Sequence, residues 1–567
     1  MNASARDNKY SVLRRPGPSE RLVRRRSAHR FAVGALTALV AGLYCVFALA
    51  QYYTFRTTSY DLVIFDQAVR SYANFEPGIS IIKGVHNGFG PRFSVLGDHW
   101  SPILASLAPL YWIQDSPQIL LVAQAFLFAL AIPPLWMFTR RAFGGGTKAA
   151  AAAYLVSVAY ALSWPIASAL AFDFHEVAFA PVLTAVALER LQAGRLRTAL
   201  VALGGLLLVK EDMGLFVAGI GMYLAVSRPR VVRRQLAVAG ALIVVGIADT
   251  FVTTYILIPA FGGRSSYYWA YTALGTNVPQ AIGHLIAHPA SLKLLVTPRV
   301  KLGTMLWLFG AFCFLSLRSP IALATIPLLL ERMLANLFPN WWITADQYNA
   351  YLVVILVCAA VDGAARLDWA LLRRRHLAAG PAAAGTDQET WPARWPATRP
   401  PWTVALVCAA AMCAVAVCLV PRFGFGPALH PSFYRRDALE RAAAAADELV
   451  PGGVTVQAVN NLGPQLSARD TVLLWDGDGH TPPLGSPWVV ANTRQLQFTF
   501  SSVREQRQRL EFLERHGYRA VFNRDGYVVL HRAGSGSAAA RPGAGRMSAP
   551  SPPSASLSRL RLAVASL

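Results

Sequence analysis

Long apolar runs separated by short polar breaks dominate this chain, the pattern of helices that cross a bilayer rather than of strands or amphipathic surface helices. About 20 apolar residues cross the hydrocarbon core. Runs of roughly that kind lie at Phe31–Tyr52, Gln118–Thr139, Lys148–Phe172, Val177–Leu191, Leu236–Pro259, Leu302–Leu317, Pro320–Phe338, Tyr351–Ala365 and Val404–Val420. Ser101 to Ile113 is apolar but too short to cross, and Pro102 and Pro109 bracket it, so it reads as an interfacial helix. Thr198 to Val226 reads as two short helices turning at Lys210-Glu211-Asp212, because three adjacent charges do not face lipid. The expectation is therefore eleven crossings.

Basic residues set the orientation. The segments expected in the cytoplasm hold 26 lysines and arginines before the last crossing, against 9 in the outer segments. The positive-inside rule then places the N-terminus in the cytoplasm and the C-terminal part outside the cell membrane.

The chain divides into a basic cytoplasmic N-terminus (1–30), a transmembrane region (31–420) and an outer part (421–532). The transmembrane region includes a long first outer loop (53–100) and a cytoplasmic linker (366–402). In the outer part, strands are expected at Val454–Val459, Thr471–Trp475, Trp488–Asn492, Tyr518–Phe522 and Tyr527–His531, with helices at Asp437–Leu449 and Ser502–His516. That order predicts a small α/β domain. Residues 533–567 are low-complexity Ser, Ala, Pro and Gly and are expected to be disordered.

Composition agrees with a polytopic membrane protein. Of 567 residues, 54% are hydrophobic and 15% charged, where a soluble domain carries about 25% charged residues. The net charge of +23 is explained by topology and by contact with membrane lipid, so no nucleic-acid partner is expected. The six cysteines fall in apolar runs and show no metal-ligand spacing. Phe31–Tyr52 is long enough to span and lacks a small-residue cleavage site, so it is expected to stay as the first helix.

Four polar clusters lie on the expected outer side: Asp61 with Asp66, Asp98-His99, Asp173 with His175-Glu176, and Lys210-Glu211-Asp212. Carboxylate beside imidazole suits acid–base work or a divalent cation, for which Asp61, Asp66, His175 and Glu176 are the possible ligands. Carboxylate beside lysine suits the binding of a phosphate at balanced charge. On an ideal helix Asp61 and Asp66 lie about 140° apart, so both need not face one site. Glu331 and Arg332 sit within an apolar run, where one of them is expected to line a cavity. Trp475 and Trp488 beside the carboxylates of the outer part are candidates to stack on sugar rings.

Several of these motifs recur in order: Tyr60-Asp61-Leu62, Phe65-Asp66-Gln67, Gly97-Asp98-His99-Trp100, Asp173-Phe174-His175-Glu176, Lys210-Glu211-Asp212 and Asp346-Gln347-Tyr348-Asn349. Together they resemble a bacterial family of predicted membrane proteins with a domain of unknown function, grouped with the GT-C glycosyltransferases. The resemblance implies a polyprenyl-phosphate-linked sugar as donor, an extracytoplasmic glycan or protein as acceptor, and inversion at the anomeric carbon. It implies Asp61 as the base that deprotonates the acceptor. Many members have adjacent acidic residues where this chain has Asp61-Leu62, which leaves the choice between Asp61 and Asp66 open. Lys210 and His99 would hold the donor phosphate, with His175 and Glu176 on the acceptor or metal side. A transporter or flippase of a lipid-linked or charged solute is the main alternative, and a non-catalytic envelope scaffold the third. A transporter usually places its polar groups at the midplane between repeated halves, and no repeat is present here.

Overall fold

The computed structural model describes residues 18–227, 233–378, 403–477 and 485–532. The N-terminal basic stretch up to residue 17, the expected linker from 379 to 402, Asp478 and the tail after 532 lie outside them. The linker starts later than the sequence implied, because the helix Ala350–Ala378 runs on past the end of the apolar stretch.

Among the described residues, six helical segments are long and apolar enough to cross a membrane: Ser27–Tyr53, Gln118–Ala142, Gly146–Ala171, Arg233–Ala260, Ala350–Leu367 and Val404–Arg422. The other expected crossings fall on shorter helices. Val177–Leu191 yields a helix at Phe179–Gln192. Leu302–Leu317 yields only Val300–Gly310, ended where Cys313 and Phe314 take positive φ. The next run yields a 3₁₀ segment at Pro320–Thr325 and a nine-residue helix at Ile326–Leu334. Thr198–Val226 breaks as anticipated, into Leu196–Leu206 and Met213–Val226. Ser101 to Ile113 forms the short helical stretch Pro102–Tyr111.

Burial divides the long helices. Ala350–Leu367 is the hub, with 83% of its apolar window buried, against 22% for Arg233–Ala260 and for Val404–Arg422. The exposed side chains of the second, Val244, Ile247 and Phe251 among them, are those of a surface suited to lipid.

The C-terminal sheet has five strands: β1 (Thr455–Ala458), β2 (Thr471–Leu474), β3 (Trp488–Asn492), β4 (Tyr518–Arg524) and β5 (Tyr527–Arg532). Their order is β2-β1-β3-β5-β4. β1 is parallel to β2 and β3, and β5 is antiparallel to β3 and β4. The β4–β5 hairpin turns on Asp525 and Gly526, both at positive φ, as a two-residue hairpin turn requires. Asp437 and Glu440 form a reciprocal cap on the helix Ala438–Leu449, and Ser502 caps Val503–Arg515.

This sheet is docked tightly on the end of the first long helix and the loop that follows it. The Ser59 amide donates to the Asn460 carbonyl (2.6 Å) and the Tyr60 amide to Asn460 Oδ1 (2.9 Å). Gln465 Nε2 donates to the Tyr52 carbonyl at 2.7 Å. Gly463 is needed at this contact, since a Cβ there would lie 2.1 Å from Ser59 Oγ.

Candidate functional site

A cavity of about 2840 Å³ opens where the loops of the helical part meet the sheet. Asp61, Asp98, His99, His175, Glu176, Lys210, Glu211 and Asp212 all line it. The sequence clusters, separated by up to 150 positions, are thus brought to one volume. Asp66 and Asp173 are not on its wall.

Asp61 lies in a π-helical turn, Ser59–Val63, so the ideal α-helical angle between it and Asp66 does not apply. The turn is fixed from two sides. Asp173 Oδ2 accepts from the Thr58 amide (2.9 Å) and from Thr58 Oγ1 (2.5 Å), and Asn460 holds Ser59 and Tyr60 from the sheet. Asp173 is therefore a buried anchor for the turn that carries Asp61. Burial pushes its carboxyl up to about 7, against the Thr58 hydrogen bonds, with the nearby Asp61 charge adding to the rise.

His175 Nε2 meets Asp61 Oδ1 at 3.2 Å. The loop that carries His175 is held by Gln124, whose Oε1 accepts from the His175 amide (3.1 Å) while its Nε2 donates to the Asp173 carbonyl (3.2 Å). Burial favours the neutral imidazole, but the hydrogen bond and charge of Asp61, followed by the charge of Glu176, outweigh it and raise the His175 pKa. Among the described residues no hydrogen bond to Asp61 Oδ2 is formed, and the side chain stays 27% exposed.

The remaining charges pair across loops. His99 Nδ1 lies 2.7 Å from Glu211 Oε1, and Glu211 Oε2 accepts from the Trp100 amide at 3.1 Å. Burial opposes charge on both partners, yet their mutual attraction raises His99 and lowers Glu211. Lys210 Nζ lies 3.5 Å from Glu176 Oε1. Asp212 is pushed up to about 6, chiefly by burial.

Lys83 escaped the sequence reading, and Asp346 and Tyr348 stood in a quoted motif without a role of their own. Lys83 is buried 3.0 Å from Asp98, whose other oxygen accepts from Tyr268 (2.7 Å). A lone lysine in Ile81-Ile82-Lys83-Gly84 was the available signal. Tyr348 lies under Lys210, whose Nζ is 5.8 Å from the ring centre. Asp346 is raised to about 6, by burial first and then by the Asp61 charge. Phe55, Phe338 and Asp346, all on the cavity wall, are held at φ of 55°, 57° and 61°, a conformation that non-glycine residues keep only when their surroundings impose it.

Asp66 is elsewhere. Fully buried, it accepts two bonds from Arg70 (2.7 and 3.0 Å) and one from Tyr111 (2.8 Å). The expected cation set of Asp61, Asp66, His175 and Glu176 is therefore not assembled, and no group of three or more His, Cys, Asp or Glu side chains among the described residues is placed to hold a metal ion. Trp475 is also displaced from its expected role: it is buried against Phe500, while Trp488 packs on His531.

One side of the cavity is apolar. Phe251, Val278, Ile282 and Leu330 line it and are themselves 42–58% exposed, apart from Leu330 at 40%. The lining thus combines charged groups with exposed hydrophobic side chains.

This architecture coincides with a family match over residues 51–529, to the family described as "Predicted membrane protein (DUF2079)", whose function is unknown. The chain belongs to that family. No curated protein matches it. The family match begins at the end of the first long helix and ends in the last strand, so it takes in every cavity residue named above.

Proposed function

We propose that this DUF2079 protein is a membrane glycosyltransferase of the GT-C type, which moves a sugar from a polyprenyl phosphate to an acceptor on the outer face of the membrane. The observation that supports it is the single cavity that joins a base-bearing turn, paired cations and an exposed apolar wall. A polyprenyl chain matches the apolar wall, and a sugar phosphate matches the charged part.

In this reading Asp61 is the base. His175 orients the carboxylate through Oδ1, leaving Oδ2 to take the proton of an acceptor hydroxyl. The hydroxyl oxygen attacks the anomeric carbon. The bond from that carbon to the phosphate oxygen breaks, the polyprenyl phosphate leaves with the electron pair, and the configuration inverts. Lys210 and His99 supply positive charge from behind their carboxylate partners. Tyr60, next to Asp61, lies against Phe498 in the loop after β3 (5.2 Å between ring centres), which gives the acceptor an aromatic surface close to the base.

The test is turnover by the purified protein of a panel of polyprenyl-phosphate sugars, with Asp61→Asn as the blank. Sugar transfer or donor hydrolysis above that blank is expected. Energy-independent movement of intact donor across vesicles without sugar release would instead show a flippase. Orientation is checked by cysteine labelling. A cysteine at exposed Glu514 should react from outside intact cells, and one at exposed Lys148 only after permeabilisation.

A further inference from the structure

The cations of the cavity differ in one respect. Lys83 and Lys210 each face a carboxylate, Asp98 and Glu176, and His99 and His175 face Glu211 and Asp61. Arg332, on the short helix Ile326–Leu334, does not. It is 2% exposed. Its Nε donates to the Trp341 carbonyl (2.7 Å) and its Nη2 to Asn349 Oδ1 (2.9 Å). No carboxylate lies within salt-bridge distance among the described residues, and Nη1, shut off from solvent, has no partner. Arg332 nevertheless lines the cavity.

A buried guanidinium left with a free donor is costly. The contrast with Lys301 shows that this chain can satisfy a buried cation when its role is only structural. Lys301 Nζ donates to three carbonyls, those of Leu294, Met333 and Ala335, at 2.6–2.9 Å. Arg332 is held by neutral acceptors at Nε and Nη2, while Nη1 has none. Glu331, its neighbour in the chain, falls on a different side of the helix; the two attract electrostatically, but they form no salt bridge among the described residues. The same short helix contributes Leu330 and Leu334 to the wall, with Val278 and Ile282 in the same cavity. A fork of N–H donors on a stiff, pre-positioned side chain is the group best matched to a phosphate.

We propose that Arg332 is the phosphate-binding residue for a prenyl-phosphate ligand, whose hydrocarbon chain lies along Leu330, Leu334, Val278 and Ile282. This moves the phosphate from Lys210 and His99, which are neutralised by their own partners, to the one buried arginine of the cavity that forms no salt bridge among the described residues. It deepens the glycosyltransferase reading, but requires only that the ligand be a phosphorylated prenol, with or without a sugar.

Binding of farnesyl phosphate and of farnesol to the full-length protein in detergent tests it. The wild type is expected to prefer the phosphate. Arg332→Gln should weaken farnesyl phosphate binding by about 10- to 100-fold, as loss of charge-assisted hydrogen bonds does, and leave farnesol binding unchanged. Arg332→Lys should fall between. If Arg332→Gln does not fold, Asn349→Asp replaces it: the new carboxylate would pair with Arg332 and cancel its charge, and should cost the phosphate preference. Wild-type affinity for farnesyl phosphate in either folded variant overturns the proposal. So does a phosphate preference abolished by Lys210→Gln or His99→Gln but untouched at Arg332. Farnesyl phosphate bound through Arg332 without turnover of any sugar donor would support this site and sink the transferase reading. Turnover whose KM is unmoved by Arg332→Gln would do the reverse.

Discussion

Two aspartates five residues apart show how differently this chain uses the same side chain. Asp61 sits in a π-helical turn on the cavity wall, touched by a single imidazole and partly exposed. Asp66 sits in the helix Ile64–Ala73 with no exposure, and both oxygens are occupied by Arg70 and Tyr111. A carboxylate with spare lone pairs beside an open volume has chemistry left to do. A carboxylate whose acceptor capacity is used inside the protein is fixing the position of something else, here the first outer loop against the interfacial segment that carries Tyr111. Their resemblance in sequence hides that division.

The sharpest test of the comparison lies on the buried side. Asp66→Ala leaves Arg70 and the Tyr111 hydroxyl without their shared partner. Breaking a buried, hydrogen-bonded pair costs about 3–5 kcal/mol, and the lower end is expected because Arg70 retains Asp115 at 2.6 Å. Thermal unfolding in detergent should show a large loss of stability, while transfer per folded molecule should be little changed. A stable but inactive Asp66→Ala would reassign the base to Asp66 and collapse the distinction.

On the cavity side the effect should be reversed. Asp61→Asn keeps the size of the side chain and a donor–acceptor pair for His175, but removes the base. Transfer should fall by about 10²-fold or more, roughly 2.7 kcal/mol in the barrier. Stability should hold, because the partly exposed carboxylate is not needed for packing. Full activity in Asp61→Asn would remove the transferase mechanism.

How much of this was readable in advance follows from what each element depends on. The sheet and its helices were visible because their signals are local: Asp437 with Glu440, Ser502, and the Asp525-Gly526 turn. The six long helices were visible because length and apolarity suffice. The shortness of the other helices was not visible, since an apolar run ending at Gly310 looks the same in sequence as one that continues. The cavity clusters were found by their charge in an apolar context. Their assignment to the wall or to anchoring roles was not, because Asp66 is claimed by Tyr111 from another segment and Asp173 by Thr58. Only Arg70, four residues from Asp66, was a local hint. Trp475 misled because a tryptophan beside carboxylates reads alike whether it faces solvent or, as here, packs on Phe500.

The smallest effect on transfer is expected at Asp173, which stands between the two cases: buried like Asp66, yet serving the turn of Asp61. Its carboxyl is raised to about 7 in the folded protein from an ordinary 3.8. Between about pH 4 and pH 7 the folded state therefore holds a proton that the unfolded chain has released. Stability must fall as pH rises through that window, by at most about 1.4 kcal/mol per pH unit, and this contribution is level outside it. Asp173→Asn cannot titrate, but its amide oxygen still accepts from Thr58. The stability of the wild type relative to Asp173→Asn should thus decline from pH 4 to pH 7, and comparison of the two cancels the parallel titrations of Asp212 and Asp346. Because the turn stays anchored, transfer should drop by no more than about tenfold, the range of one weakened hydrogen bond. Parallel stability curves across the window would show that Asp173 is already ionised in the fold. A loss of transfer as deep as that of Asp61→Asn would put Asp173 among the reacting groups instead of behind them.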